Sequence, residues 1–272
     1  MRIRGRKIGY DLPPYIVAEI SCNHNGSIEK AKELIDAAIW AEADAVKFQT
    51  YSPGDLCKEG SEMWALYEKA MTPREWHEEL FDYCAKAHMP AFSSPFSVHA
   101  VEYLEREINP PCYKIASPEA LRTDILDAVR ATGKPVIIST GALSTFKQID
   151  ALTVKFPEAV FLHCIAEYPA KVIDGNFGFI KRLKSGGDID SGYVHSRLVG
   201  LSDHTPGYIA PVAATALGVV MIEKHIKLDD DCIDAAWSLN RQEFSDMCQA
   251  VRDVYHGMGD GQIRATCKPR QL

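Results

Sequence analysis

Several features that identify common protein classes are missing from this 272-residue sequence. No stretch approaches the ~20 apolar residues of a membrane span, and no apolar segment of signal-peptide length follows the basic N-terminus. The sequence has neither the Gly-x-Gly-x-x-Gly pattern of dinucleotide-binding folds nor a Walker A loop. It has no low-complexity tract and no exact repeat. The net charge of −7 argues against a general nucleic-acid-binding protein.

Closely spaced cysteines are also missing. The eight cysteines are far apart, with no Cys-x-x-Cys pair, which fits neither a zinc knuckle nor a thioredoxin-like site. A chain of this length buries a sizeable core without disulfides. We therefore interpret the cysteines as free thiols in a reducing compartment, and we expect a cytoplasmic protein.

Short apolar runs alternate with helical patterns eight times along the chain. Runs that are short and largely apolar at their starts are typical of strands covered on both faces. We predict strands over residues 15–21, 44–50, 89–96, 112–117, 135–140, 160–168, 197–204 and 219–226. Eight strand–helix units predict a single-domain α/β fold, the (β/α)8 TIM barrel. The alternative is an open doubly wound sheet, which the missing glycine fingerprint disfavours.

Other local sequence patterns predict where helices begin and where a loop lies. Residues 27–43 have apolar residues at helical spacing. Thr72 and Asn240 are predicted N-caps, each followed by a glutamate three residues later. Residues 184–196 are the least regular connection, and we interpret them as a loop at the bottom of the barrel or a frayed helix end.

Polar residues gather at the ends of the predicted strands, where barrel enzymes place their chemistry. Since side chains alternate along a strand, Glu223 and His225 share one face, as do Ser202 and His204. A charged side chain inside a barrel is costly unless it is paired. Lys47–Glu19 and Lys114–Glu223 are therefore ion pairs without a ligand, or they belong to a binding site. The number of such residues at one end favours a site.

Two inward lysines and two histidines indicate what such a site binds. Lysines with hydroxyl groups suit a small anion such as a phosphate ester or carboxylate. His204 and His225, on adjacent strands, lie roughly 5 Å apart at the backbone, a distance that one metal ion can bridge. With two protein ligands, water and substrate oxygens would complete the coordination. This favours Mn²⁺ or Mg²⁺ in an open site over structural Zn²⁺.

Seven motifs in order resemble the N-acetylneuraminate (sialic acid) synthase family over residues 14–261: AEISCNHNGS, DAVKFQTYSPGDL, YKIASPE, TGKPVIISTG, LHCIAEYPA, GLSDHTPG and IEKHIKLD. The resemblance implies a TIM barrel and a metal-dependent condensation of phosphoenolpyruvate with an aldehyde sugar such as N-acetylmannosamine. The implied products are a sialic-acid-type α-keto sugar acid and phosphate. The implied partners are these small molecules and a second subunit in a homodimer.

The resemblance also implies roles for individual residues. His204 and His225 are the metal ligands it implies, and Glu119 is our candidate for managing the proton of the attacking water. The implied catalytic residues are Glu19, Lys47, Lys114, Glu119 and Glu223. The implied substrate-binding residues are Gln49, Ser94, Ser117, Ser139, Tyr168, Asn176, Ser202 and Asp234.

The sequence departs from the family pattern in two places. Ala235 stands where the family has a histidine, and Trp237 adds bulk nearby. We expect the barrel over residues 1–261, a tail over 262–272, and no C-terminal antifreeze-like domain, which in the family supplies an arginine to the N-acyl group of the sugar. The chain is then a shortened piece or a natural short form. Two alternatives follow: a synthase for a non-acylated or phosphorylated aldose, and a non-catalytic barrel subunit.

Overall fold

The computed structural model describes residues 1–186 and 197–259. Eight parallel strands close into a barrel, which confirms the predicted (β/α)8 fold. A short antiparallel hairpin precedes it. The strands are β1 (Arg2–Ile3), β2 (Arg6–Lys7), β3 (Tyr15–Glu19), β4 (Ala45–Thr50), β5 (Ala91–Pro95), β6 (Tyr113–Ile115), β7 (Val136–Ser139), β8 (Val160–Cys164), β9 (Leu198–Asp203) and β10 (Met221–His225). Strands β3 to β10 form the barrel in chain order, and β10 closes it against β3.

Helices follow the barrel strands. They are α1 (Ile28–Trp40), α2 (Pro53–Leu56), α3 (Trp64–Ala70), α4 (Arg74–Lys86), α5 (Val98–Tyr103), α6 (Thr123–Ala131), α7 (Phe146–Lys155), α8 (Gly178–Lys184), α9 (Ile209–Ala216) and α10 (Arg241–Met258). Ser27 caps α1 through its side chain, which accepts a hydrogen bond from the backbone N–H of Lys30. Asn240 and Glu243 form the predicted capping box of α10.

All eight predicted strands are present, but some predicted ends are wrong. The strand predicted over 160–168 stops at Cys164, where its pairing with β9 ends, so Tyr168 lies in the following loop. The predicted N-cap Thr72 is also wrong. Helix α4 begins at Arg74 after Pro73, with no side-chain cap, and Thr72 instead bonds to a buried histidine, His24.

The strands alternate as their sequence predicts. On β3, Tyr15 and Val17 belong to the apolar cluster inside the barrel, whereas Ile16 and Ala18 pack outward against the helices. The β1–β2 hairpin closes the bottom, since Ile3 is buried in the inner cluster. At Gly200 on β9, a Cβ would lie 2.6 Å from the backbone oxygen of Met221, which cannot move aside, so only glycine fits this inward position.

Several expectations concern the chain as a whole. None of the helices in the described ranges is long and apolar enough to cross a membrane. The seven cysteines of those ranges are all free, as predicted. The predicted domain end at 261, the tail over 262–272 and residues 187–196 of the predicted loop over 184–196 lie outside the described residues.

Candidate active site

Four charged side chains lie inside the barrel on three neighbouring strands and on β6. Glu19 and Lys47 are register partners on β3 and β4, and both are almost fully buried. Lys47 Nζ lies 2.6 Å from Glu19 Oε2 and 3.4 Å from Glu223 Oε2. Lys114 Nζ lies 3.3 Å from Glu223 Oε1. Both ion pairs considered from the sequence therefore form, and the two lysines balance the two carboxylates.

Burial and charge act against each other in this group. Burial alone lowers the pKa of Lys47, but Glu19 and Glu223 outweigh it, and the pKa is raised. For Lys114 burial prevails over the attraction of Glu223, and the pKa is lowered. Burial alone raises the pKa of Glu223, but Lys114 and Lys47 hold it below its usual value. Among the described residues Lys114 contacts one carboxylate and Lys47 two, so Lys114 is the less neutralised cation.

A cavity of about 820 Å³ opens beside these charges at the carboxyl end of the barrel. The predicted residues that line it are Lys47, Gln49, Ser94, Lys114, Ser117, Glu119, Ser139, Tyr168, Ser202, His204, Glu223, His225 and Asp234. Glu19 lies just beneath, bonded to Lys47 and to Gln49. Nearly all of the predicted site residues therefore meet in one place.

Unpartnered polar atoms in this cavity indicate an oxygen-rich ligand. Ser94 Oγ accepts a hydrogen bond from Lys47 Nζ, and Ser202 Oγ donates one to Glu223 Oε1 at 3.0 Å. Ser139 Oγ and Glu119 Oε2 are buried and have no hydrogen-bond partner within the described ranges. Burial raises the pKa of Glu119. Buried polar atoms without partners are rare. A bound anion could accept a hydrogen bond from Ser139 Oγ, and a water or a ligand hydroxyl could donate one to Glu119 Oε2.

His204 and His225 face each other across the cavity, with ring centroids 5.4 Å apart. His204 Nδ1 lies 2.9 Å from the backbone oxygen of Ile165, and His225 Nδ1 lies 2.9 Å from Asp234 Oδ2. Both oxygens can only accept, so each Nδ1 carries the hydrogen. In a neutral ring Nε2 then keeps its lone pair.

These two rings fit a divalent metal. Burial and, to a smaller extent, the neighbouring His225 lower the pKa of His204 to about 3, so the ring is neutral at pH 7. A neutral imidazole oriented through its other nitrogen is the usual metal ligand. In residues 1–186 and 197–259, no group of three or more His, Cys, Asp or Glu side chains is placed to hold an ion. Water or substrate oxygens would therefore complete the coordination.

One predicted residue lies elsewhere. Asn176 lines an adjoining cavity of about 660 Å³ with Thr140, His163 and Arg182. The two cavities share Cys164. Asn176 therefore does not join the main cavity, and its assignment to substrate binding stays a prediction.

The sequence reasoning missed one wall of the main cavity. Residues after β4 fold into α2 and α3, which place Asp55, Met63, Leu66 and Tyr67 at the mouth. Met63 and Leu66 are 43% and 40% exposed, so this wall presents apolar surface to the cavity. The turn-forming run Ser-Pro-Gly-Asp, residues 52–55, follows the predicted strand. It was the one sequence feature that could have indicated a folded segment at this place.

The match to a protein family decides the classification. The sequence profile of the NeuB family matches residues 34–263. This chain belongs to the NeuB family. It is therefore an enzyme, a phosphoenolpyruvate-dependent sugar acid synthase, and synthases of this family are generally metal-dependent.

Curated relatives of the NeuB family support this assignment. The chain is 38% identical to a pseudaminic acid synthase of Campylobacter jejuni, over 93% of this chain and 77% of the relative. It is 36% identical to a pseudaminic acid synthase of Helicobacter pylori, over 94% of this chain and 78% of the relative. It is 32% identical to an N,N'-diacetyllegionaminic acid synthase of Campylobacter jejuni, over 92% and 79%.

A solved structure shows the same fold. The N-acetylneuraminic acid (sialic acid) synthetase of Leptospira borgpetersenii, in complex with citrate, superposes with a TM-score of 0.88 at 29% identity. The match covers 97% of this chain and 92% of that one.

Proposed function

We propose that this enzyme condenses phosphoenolpyruvate with an N-acylated aldose to form a nine-carbon α-keto sugar acid of the sialic acid type, with release of phosphate. Pseudaminic acid is the product that the relatives favour, because two pseudaminic acid synthases share 36–38% identity with this chain. The observation that carries the proposal is the meeting of two lysines, unpartnered hydroxyl and carboxyl oxygens and two facing histidines in one cavity.

The lysines are the proposed binding site for phosphoenolpyruvate. Lys114, the less neutralised cation, and Lys47 would hold its carboxylate and phosphate, with Ser94 and Ser139 as further contacts. Such fixed cations also favour departure of phosphate, because they stabilise the negative charge that develops on it. Glu223 keeps both lysines oriented through a hydrogen bond to Lys114 at 3.3 Å and an ion pair with Lys47 at 3.4 Å.

The histidines are the proposed metal site. A divalent ion held by Nε2 of His204 and of His225 would supply Lewis-acid polarisation of the aldehyde oxygen. Asp234 orients His225, and the backbone oxygen of Ile165 orients His204. We propose Mn²⁺ or Mg²⁺, because an open shell completed by oxygens suits these hard cations.

Glu119 is the proposed base. Carbon 3 of phosphoenolpyruvate bonds to the aldehyde carbon while the C=O π bond opens and its oxygen takes up a proton. Water then adds at carbon 2 and gives up a proton, and the bond between carbon 2 and the phosphate oxygen breaks. Glu119 has a buried, unpartnered oxygen in the cavity, and burial raises its pKa towards the working range of a general base.

The acceptor is proposed to be unphosphorylated. A second phosphate site is commonly built from arginine, which binds phosphate through two parallel hydrogen bonds. No arginine of the described ranges lines the main cavity. The apolar wall of Met63 and Leu66 suits acetamido or deoxy positions of a sugar better than a phosphate.

A phosphate-release assay tests the proposal. The panel pairs phosphoenolpyruvate with N-acetylmannosamine, with the acetamido aldose precursors of pseudaminic and legionaminic acids, with mannose and with mannose 6-phosphate. We expect phosphate only when phosphoenolpyruvate, an acetamido aldose and a divalent ion are all present. Release with the phosphorylated sugar alone, or none with any aldose, would contradict the proposal.

Two expectations about the whole protein belong to the same proposal. Its free thiols suit a cytoplasmic location, and the family resemblance implies a homodimer. Light scattering coupled to size-exclusion chromatography measures the mass in solution, and a monomer at micromolar concentration would contradict the second expectation.

A further inference from the structure

Trp237 occupies an unusual place at the rim of the histidine pair. It ends the short 3-10 turn Ala235–Trp237 after β10, and it lines the main cavity. Its ring centroid lies 6.1 Å from that of His225 and 5.4 Å from that of Tyr168. The Tyr168 ring in turn lies 4.2 Å from that of His204. Two aromatic rings thus flank the two imidazoles.

The indole nitrogen of Trp237 has no hydrogen-bond partner. The side chain is 9% exposed, and Nε1 is buried with no acceptor among the described residues. Buried tryptophan N–H groups usually find an acceptor. A donor left without one costs about 1–3 kcal/mol. Nε1 itself exposes less than 1 Å² of surface, so a ligand reaches it only after a small rotation of the indole. A ligand oxygen that then accepts from Nε1 would remove this cost.

The position of Trp237 fits one part of the proposed acceptor. If the aldehyde oxygen lies between His204 and His225, the carbon next to the aldehyde lies within one bond of the reacting carbon. Its substituent would then lie close to the histidines, within reach of the aromatic rings that border them. Trp237 and Tyr168 are those rings.

The chemistry of the surroundings selects the substituent. Trp237 offers a neutral donor, and Tyr168 and the 39%-exposed Ile233 offer apolar surface in the same cavity. An N-acyl group has a neutral carbonyl oxygen to accept the hydrogen bond and a methyl group to cover apolar surface. A hydroxyl at that carbon offers no methyl, and an anionic group would meet Asp234.

We propose that Trp237 is a specificity-determining residue that recognises an N-acyl group on the carbon next to the aldehyde, through a hydrogen bond from indole Nε1 to the acyl oxygen. This inference rests on the proposed function, because it assigns a contact to the proposed acceptor.

The test is a double cycle in which one change is made in the enzyme and one in the sugar. The probe is whichever acetamido aldose of the panel releases phosphate fastest, and the comparator is the same sugar with a hydroxyl in place of the 2-acetamido group. Trp237→Phe keeps an aromatic ring but removes the N–H. We expect kcat/KM for the acetamido sugar to fall about 5- to 150-fold, with little change for the hydroxyl analogue and in the KM for phosphoenolpyruvate.

Two further variants separate the hydrogen bond from packing. Trp40→Phe removes an indole that is 47% exposed on α1 and is not part of the cavity lining, and it should leave turnover of both sugars unaffected. Benzothienylalanine at position 237 keeps the two-ring shape and replaces only the N–H, so it covers the case in which Trp237→Phe folds poorly.

A binding measurement complements turnover. Calorimetry of the acetamido sugar with the phosphoenolpyruvate-loaded, metal-free enzyme should show the same loss of affinity in Trp237→Phe. Equal losses for both sugars, or none for either, would overturn the inference. Phosphate release by the wild type with unchanged acetamido preference in Trp237→Phe overturns this inference alone. Sugar binding without phosphate release from the wild type contradicts the proposed function alone.

Discussion

Replacing Lys114 by methionine should weaken the use of phosphoenolpyruvate far more than it weakens the fold. Methionine keeps the length of the buried stem and removes only the charge. Lys114 Nζ is the less neutralised of the two cations in the cavity, with one carboxylate contact at 3.3 Å. We therefore expect the loss of Lys114 to weaken the binding of an anionic substrate more than the loss of Lys47 would.

The magnitude follows from the contacts. A hydrogen bond to a charged group contributes about 1.5–3 kcal/mol, which corresponds to a rise of about 10- to 150-fold in the KM for phosphoenolpyruvate. The remaining charges of Glu19, Lys47 and Glu223 sum to one negative charge, which adds repulsion. Glu223 still contacts Lys47 and Ser202. The loss of stability should therefore be smaller than the 3–5 kcal/mol typical of a buried charge left without its partner.

Lys224→Met is the matched control. Lys224 is also fully buried and paired, with Nζ 2.6 Å from Asp203 Oδ2, but it lies on the outward face of β10. None of the other ion pairs in the described part of the chain includes Asp203, so the substitution removes the cation that it contacts there. We expect a cost of about 3–5 kcal/mol, a drop in melting temperature on the order of 10 °C, and little change in the KM of the folded enzyme.

The assay combines initial rates over a range of phosphoenolpyruvate concentrations with thermal melts of both variants. The reasoning predicts opposite profiles: a high KM with a modest loss of stability for Lys114→Met, and the reverse for Lys224→Met. An unchanged KM in Lys114→Met, or an equal rise in both variants, would refute the assignment of Lys114 to the anion.

Three other predictions address the base, the metal and pH. Glu119→Gln should lower kcat about 10²- to 10⁴-fold with the KM for phosphoenolpyruvate nearly constant, and a kcat within about three-fold of wild type in rapid-quench assays counts against this base. Asp234→Asn should weaken Mn²⁺ binding about 10- to 100-fold in calorimetric titrations without loss of fold, because His225 loses its orienting carboxylate. Burial lowers the pKa values of His24 and His77 to about 4 and that of His204 to about 3, so protons bind these groups more tightly in the unfolded chain. The free energy of unfolding of the metal-free protein should then fall by up to about 1.4 kcal/mol per pH unit and per histidine as the pH falls from about 6.5 towards 4. A melting temperature that stays constant over this range would contradict the burial of neutral histidines.

The barrel could be predicted because its strands carry two signals at once. Apolar runs mark strands that are covered on both faces, and alternation separates inward from outward residues. On β10 the inward set is Met221, Glu223 and His225, and the outward set is Ile222 and Lys224. The same alternation identified most of the site.

Strand ends and loop positions could not be predicted so well, because they depend on partners distant in sequence. Strand β8 ends at Cys164, where its ladder with β9 ends, although the polar-apolar pattern continues to Tyr168. Asn176 follows the same strand, yet the loop takes it to the adjoining cavity. The sequence around Tyr168 or Asn176 contains no signal that predicts the course of this loop.

The apolar wall of the mouth was missed for a related reason. Helices α2 and α3 have four and seven residues, too few to show a clear apolar period. Met63 and Leu66 face the cavity because the segment after β4 folds over it. The buried N–H of Trp237 is likewise visible only once its neighbours are placed.

The most direct measurement is pulsed electron paramagnetic resonance of Mn²⁺ bound to the wild-type enzyme with phosphoenolpyruvate. We predict nitrogen couplings from two imidazoles, with one coupling lost in His204→Ala and one in His225→Ala, and weaker Mn²⁺ binding in each folded variant. A spectrum without imidazole coupling, or the same spectrum and affinity in both variants, would contradict a metal held between His204 and His225.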